Sequence, residues 1–398
     1  MNIQCLRCKG RRFCGRSFCA ILAKSQSVTK AKKSVQREEF QGSSPSVFVG
    51  YTGYPDVNVG LLSPPDTDSD AWKYDSPRYW AREGTDIKTL IDFRSILINS
   101  REKHDIKGND RYLESVREVA MSAKPVDVDV RLKKKPVFQT SYSDVQAPMG
   151  PTADIRRVSI LTNPKIPRKV DKVVSDTDLL ANNGLKYLYK SGFEENTLSK
   201  LLSAGTMGLK RNRKLVPTRW SITAVDDNIG KEIIRKIKDF QPDDNLAFFG
   251  GHLGNYFLVM LLPDVWSYEL FEMYMPRVSW NPTAVLQYTT DHEFYEGRSE
   301  YAANCAGGYY AARLPILDTL LGRRRQSSVV ALRFITGDYS VPLGVWVVRE
   351  AMRKTMKTRP IQFSSRELML KYAKNLAMKR FGCDIDTVSY THLTLPTN

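Results

Sequence analysis

The sequence predicts an α+β fold, a mixed helix-and-strand core in two lobes behind a small N-terminal four-cysteine knuckle. Three observations predict it. Four cysteines, Cys5, Cys8, Cys14 and Cys19, crowd into the first 19 of 398 residues. Behind them, apolar runs of strand length and stretches of helical periodicity both recur along the chain. The length also exceeds the ~250–300 residues at which a single core stops growing, and 42% hydrophobic residues suffice for a sizeable interior.

The knuckle comes first. Cys-x2-Cys followed by a wider cysteine pair brings four thiolates within reach of one tetrahedral ion. A disulfide framework would spread its cysteines through the fold, whereas the remaining two, Cys305 and Cys383, are distant and isolated. Arg7, Lys9, Arg11, Arg12 and Arg16 lie among the thiols and favour the thiolate form. The expected ion is a structural Zn2+, because four protein ligands leave no open position; an all-cysteine iron–sulfur cluster is the rival. The plainer alternative is a reduced segment with incidental cysteines.

The other elements follow in chain order. Residues 1–23 form the expected knuckle, and 24–46, polar and without periodicity, read as a basic linker. An N-terminal domain is expected over 47–285. It opens with a strand, a Gly turn and a second strand between Val47 and Gly60, followed by helices at Ile87–Ile98 and Tyr112–Met121. Residues 124–172 read as irregular or extended, an edge strand crossing the domain being one form of that reading. Helices are expected at Asp176–Lys190, Glu194–Ser203 and Ile229–Phe240, then strands at Leu246–Phe249, Tyr256–Leu262, Trp266–Tyr274 and Ala284–Tyr288. A C-terminal domain over 286–386 holds a strand at Val329–Ile335 and helices at 308–321, 343–357 and 364–380. Residues 387–398 carry no charge in a chain that is 26% charged. They resemble adapter read-through, so a non-native tail replacing the natural C-terminus is expected.

Charge and composition narrow the function classes. No run of about 18 apolar residues exists, so no membrane partner is expected. The stretch Cys19–Ala23 is too short for a signal-peptide core, and clustered thiols suit a reducing cytoplasm. The net charge is +17, and residues 1–40 alone hold ten Lys/Arg against Glu38 and Glu39. A second block, Lys210, Arg211, Arg213, Lys214 and Arg219, has no acid between Thr206 and Val225. A third is Arg323-Arg324-Arg325. Such clusters are the electrostatic footprint of a polyanion binder, so DNA is the expected partner, with Arg11 and Arg12 contributing from the knuckle.

Glycines Gly205 and Gly208 beside the second block permit close backbone approach to a phosphate, but no Gly-Lys-Ser/Thr closes a Walker loop. His252 sits in a Gly-rich turn, and Asp291 and Glu293 flank His292. With Asp226 and Asp227, these residues are the weak catalytic candidates, a metal-dependent nuclease or phosphoesterase being the alternative function. Gly307-Gly308-Tyr309-Tyr310 opens a helix whose tyrosines either stack on bases or pack inside the fold. An RNA-binding zinc protein is the third reading, on charge and knuckle alone.

Several strings together resemble the archaeal NreA DNA repair protein family. They are the four-cysteine N-terminus, Phe48–Pro55, Gly205–Asp227, Gly251–Tyr256, Gly307–Leu314 and Pro342–Glu350. The resemblance implies an archaeal, cytoplasmic and nucleoid-associated repair factor with an N-terminal and a C-terminal family domain. It also implies a terminal Gln-x-x-Leu/Ile-x-x-Phe-Phe peptide that docks the sliding clamp, which is missing here. It names a process rather than a reaction.

Overall fold

The computed structural model describes residues 19–138 and 149–385, together with Cys8, Arg11 and Phe13. The chain divides into two units, Met1–Ile229 and Gly230–Asn398. Both mix helices with a six-stranded sheet, as an α+β fold requires.

The first unit begins with helix α1 (Ala20–Val35), which buries Ala23, Ser27, Ala31 and Val35, one residue every four. Strands β1 (Glu39–Ser44), β2 (Ser46–Val49) and β3 (Asp56–Ser63) follow. Helices α2 (Pro77–Glu83) and α3 (Ile87–Ile96) lead to β4 (Ile98–Asp105). Helix α3 starts where the Asp86 carboxylate accepts the Thr89 N–H at 2.9 Å. Next come α4 (Arg111–Met121), capped by Asp110, β5 (Val126–Leu132) and β6 (Thr152–Ile160). The sheet order is β1-β5-β6-β4-β3-β2, with only β4 and β6 parallel. Strand β5 alternates as its sequence does: Val126, Val128, Val130 and Leu132 point inward and Asp127, Asp129 and Arg131 outward. Helices α5 (Arg168–Ser175), α6 (Ala181–Lys190), α7 (Glu195–Ser203) and α8 (Thr218–Ile237) complete the series, and the division between units falls inside α8.

The second unit has sheet order β10-β9-β11-β8-β7-β12, with only β9 and β11 parallel. The strands are β7 (Leu246–His252), β8 (Asn255–Leu262), β9 (Ser267–Tyr274), β10 (Gln287–Glu293), β11 (Ser328–Ile335) and β12 (Ile361–Gln362). Helices α9 (Gly307–Arg323) and α10 (Trp346–Met356) cover one face, bringing Gly308 against Glu272 and Thr355 against Gly250. Helix α11 (Arg366–Phe381) covers the other with Met369, Ala373 and Ala377. Strands β8, β9 and β11 are buried on both faces, which is why β8 and β11 read as nearly continuous apolar runs, while β9 buries Glu269 and Glu272 among its apolar residues.

Four sequence expectations change. Residues 24–46 are not a linker: α1 and β1 occupy most of them. The stretch 124–172 holds β5 and β6, which are interior strands. The helix expected from Ile229 is the second half of α8. Strand β10 runs over 287–293, so Asp291 and Glu293 lie within it. The expected tail, 387–398, lies outside the described residues. Among those residues no helix is long and apolar enough to cross a membrane.

Candidate nucleic-acid interface

The basic loop between α7 and α8 is fixed at both ends in the core of the first unit, through Ala204 and Leu215. Gly205 adopts φ +68°, and a Cβ there would stand 2.5 Å from the Lys214 carbonyl oxygen, so only glycine lets the two strands of the loop touch. Within the loop Arg213 turns inward. Its Nε donates to the Gly208 carbonyl at 2.8 Å, and its terminal nitrogen reaches the carbonyls of Val174 at 2.8 Å and Asp176 at 3.1 Å. This arginine closes the loop on itself. Its neighbours Lys210, Arg211 and Lys214 are left exposed, and among the described residues none of them pairs with a carboxylate.

Hydrogen bonds stitch this loop to the turn joining β2 and β3. Leu215 N–H donates to Ile106 O at 2.7 Å, and Ile106 N–H donates to Pro55 O at 3.1 Å. At the other end of the turn, Val49 N–H donates to Thr218 Oγ1 at 2.9 Å. The turn itself reverses at Gly53 (φ +84°), and its two tyrosines stay in solvent, Tyr51 51% and Tyr54 41% exposed.

The first turn of α8 meets them. Arg219 lies with its guanidinium 4.8 Å from the Tyr51 ring centroid. Trp220, 45% exposed, sits 5.2 Å from Tyr54 with the rings tilted by 54°. Lys107, next to the stitching Ile106, adds another exposed cation. Asp56 and Asp105, cross-strand partners at the ends of β3 and β4, put two exposed carboxylates beside the same turn, and Asp105 accepts the Lys107 N–H at 2.8 Å. The result is a pair of exposed tyrosines and a tryptophan beside Arg219 at the N-terminus of a 20-residue helix, whose dipole adds to the attraction for anions, with the basic loop hydrogen-bonded to the same segment through Ile106.

Of the expected DNA contacts, Lys210, Arg211 and Lys214 are exposed on the loop and Arg219 on the helix turn after it, Arg213 is the loop's internal brace, and Arg11 is exposed on the N-terminal segment. Arg12 lies outside the described residues. Sequence reasoning passed over Tyr51, Tyr54, Trp220 and Lys107 as contacts. An exposed-aromatic string, Tyr-Thr-Gly-Tyr, was the available signal.

Of the expected metal ligands, Cys5 and Cys14 lie outside the described residues. Cys8 is buried and accepts the Phe13 N–H at 3.3 Å; Cys19 caps α1 by accepting the Leu22 N–H at 3.5 Å. Both sulfurs act as hydrogen-bond acceptors, the role a metal-bound thiolate keeps. Neither is in a disulfide. No group of three or more metal-ligating side chains occurs among the described residues.

Of the catalytic candidates, Asp226 is buried and Asp227 half-buried on α8, and His252 is not brought together with Asp291 and Glu293. Strands β9, β11 and β8 separate β10 from β7, a spacing of about 19 Å across the sheet at ~4.8 Å per strand, and the register sets His252 level with Gln287, so Asp291 and Glu293 lie farther off still. Asp291 is held by Arg298 at 2.9 Å and by the Cys305 N–H at 2.7 Å. Glu293 accepts from Arg313 at 2.5 Å and from the Trp266 indole at 3.1 Å. His252 faces the Lys354 ammonium at 3.2 Å, and burial together with that charge pushes its pKa down to about 4. Each of the two carboxylates is engaged at both oxygens by partners within the fold. Tyr309 and Tyr310 are buried around Arg313 and Tyr268, which removes them as base-stacking surfaces.

Comparison with known proteins bears on the same chain. The family described as "Archaeal Nre, N-terminal" matches residues 13–281, and "Archaeal Nre, C-terminal" matches 293–383. DNA repair protein NreB of Archaeoglobus fulgidus is 38% identical over 371 residues, covering 93% of this chain and 92% of that one. DNA repair protein NreA of the same organism is 38% identical over 369 residues, 92% and 91% of the two chains. NreA of Haloferax volcanii is 38% identical over 332 residues, 81% and 79%. No solved structure matches. With both domain families matched in order and relatives aligned over almost the whole length, the chain belongs to the archaeal Nre family.

Proposed function

We propose that this chain is a DNA repair factor that grips the DNA backbone through the loop between α7 and α8. One observation carries the reading: Lys210, Arg211 and Lys214 stand exposed on a loop braced by Arg213, and Arg219 stands exposed on the first turn of α8 that follows it. Four cations without carboxylate partners among the described residues keep their charge available for phosphates. The relatives' names, DNA repair proteins NreA and NreB, supply the process. The carboxylates of β10, separated from His252 and engaged within the fold, weigh against a metal-dependent nuclease.

Phosphate contacts are read by salt dependence. Arg211→Ala combined with Lys214→Ala is expected to weaken binding to a duplex of any sequence. The slope of log affinity against log salt should shrink by about 2, near 0.9 per lost phosphate contact. Arg213→Ala serves as the contrast: losing its carbonyl hydrogen bonds is expected to cost ~1–3 kcal/mol of stability in urea unfolding. Unchanged affinity and slope in the double variant would refute the loop as a DNA contact.

The proposal includes the knuckle and the clamp. Cys5, Cys8, Cys14 and Cys19 would hold a structural Zn2+, fixing the basic N-terminal segment; the acceptor roles of Cys8 and Cys19 fit such a site. Cys5→Ser with Cys8→Ser is expected to abolish bound zinc, measured by elemental analysis, and equal zinc in the variant would exclude the site. Docking to the sliding clamp rests on the resemblance alone, since residues 387–398 hold no such peptide.

A further inference from the structure

We infer that Tyr51, Tyr54 and Trp220 form a stacking platform for unpaired bases, so that this surface takes single-stranded DNA in preference to duplex. The inference rests on the proposed DNA contact by the neighbouring cations and adds what kind of DNA they hold.

Burying a Trp or Tyr side chain gains apolar contact and specific ring packing, so three such rings left 41–51% exposed at one place are an unspent binding surface. Their geometry suits bases. The Tyr51 ring has Arg219 over one face at 4.8 Å, and half of its surface is still exposed. Tyr54 and Trp220 meet at 54° rather than in parallel, so neither ring hides the other's face. The rings are presented by rigid backbone, a turn hydrogen-bonded at both ends and the first turn of a long helix. Little ordering is then required on binding.

Charge complementarity selects the occupant. Exposed rings with Arg219 beside Tyr51, and the exposed Lys107, Lys210, Arg211 and Lys214 on segments hydrogen-bonded to the same turn through Ile106, offer partners to both a polyanion's charges and its planar groups. A duplex shows its phosphates but keeps its base faces in the stack; a single strand shows both. Aromatic faces are therefore wasted on a duplex and used by a single strand.

The experiment measures fluorescence anisotropy of the full chain with a labelled single-stranded oligonucleotide, its duplex, an abasic single strand and a matched single-stranded RNA. Tyr54→Leu and Trp220→Leu keep apolar bulk without the ring, and Tyr51→Phe keeps the ring. The wild type is expected to prefer single-stranded DNA over duplex and over the abasic strand. Each Leu variant should lose about tenfold or more for the single strand, with duplex affinity and the salt slope unchanged, and Tyr51→Phe should bind as wild type. Quenching of Trp220 fluorescence by the base-bearing strand, and not by the abasic one, would be the direct signature. Binding in which the abasic strand matches the normal one, or in which the Leu variants lose single strand and duplex equally, would overturn the platform while leaving the backbone contact standing. Tighter binding of RNA than DNA would overturn its assignment to DNA. No binding of any strand by the wild type would overturn both readings.

Discussion

Arg211 and Arg213 are two residues apart and identical in kind, yet one is held out to solvent and the other is spent on three carbonyls of its own fold. Composition marks the loop as basic but cannot divide its cations between ligand and brace, because that division depends on Val174 and Asp176, more than thirty residues away. His252 makes the same point for chemistry. A histidine in a Gly-rich turn invites a catalytic role, but burial first and Lys354 second hold its pKa at about 4, against about 6.5 for a free imidazole. The unfolded chain therefore takes up the proton first as pH falls. Its contribution to stability is complete above about pH 6.5 and is lost as pH falls towards about 4, below which both states are protonated. In urea unfolding, wild type is expected to lose more stability between about pH 7 and about pH 5 than His252→Gln does. Equal losses would show that the imidazole titrates alike in both states.

At the scale of elements, legibility tracked how much apolar surface each one buries. Strand β5 announces itself as Val-Asp-Val-Asp-Val, yet the Pro- and Lys-rich flanks drew that whole stretch into an irregular reading. Helices α3 and α4 were placed within two residues, because Asp86 and Asp110 cap them and apolar residues follow at helical spacing. Helix α1 was missed for a physical reason. Its buried stripe is Ala23, Ser27, Ala31 and Val35, small residues that carry little hydrophobic signal. A polar contact, Ser27 Oγ donating to Asp92 at 2.5 Å, is part of what holds it. Strand β10 was read short because its second half is polar on sequence, and its buried carboxylates become tolerable only through Arg298 and Arg313, which the fold supplies. The candidate interface was half legible in the same way. Its cations are contiguous in sequence, whereas its rings come from a turn and a helix some 165 residues apart that only the backbone stitching through Ile106 and Thr218 brings together.

At the scale of the molecule, the family boundary and the structural one differ. The N-terminal family match ends at 281, but the second unit begins at Gly230, so β7, β8 and β9 fold with residues that follow the match. The reason is the strand order. Strand β11 inserts between β9 and β8, pairing with both along eight residues. A fragment ending at 281 would keep β8 and β9 but strip away the strand that joins them. It would also leave Glu272 with the Tyr274 hydroxyl but without its counter-charge Arg333, and the buried Trp266 indole N–H without Glu293. The expected outcome is a fragment that binds a hydrophobic dye and aggregates through its exposed strand edges, while the full chain does neither. Size-exclusion chromatography with dye binding tests this. A monomeric fragment that unfolds cooperatively without binding dye would mean that β7–β9 can close a core of their own, and that the second unit is not the indivisible sheet its strand order implies.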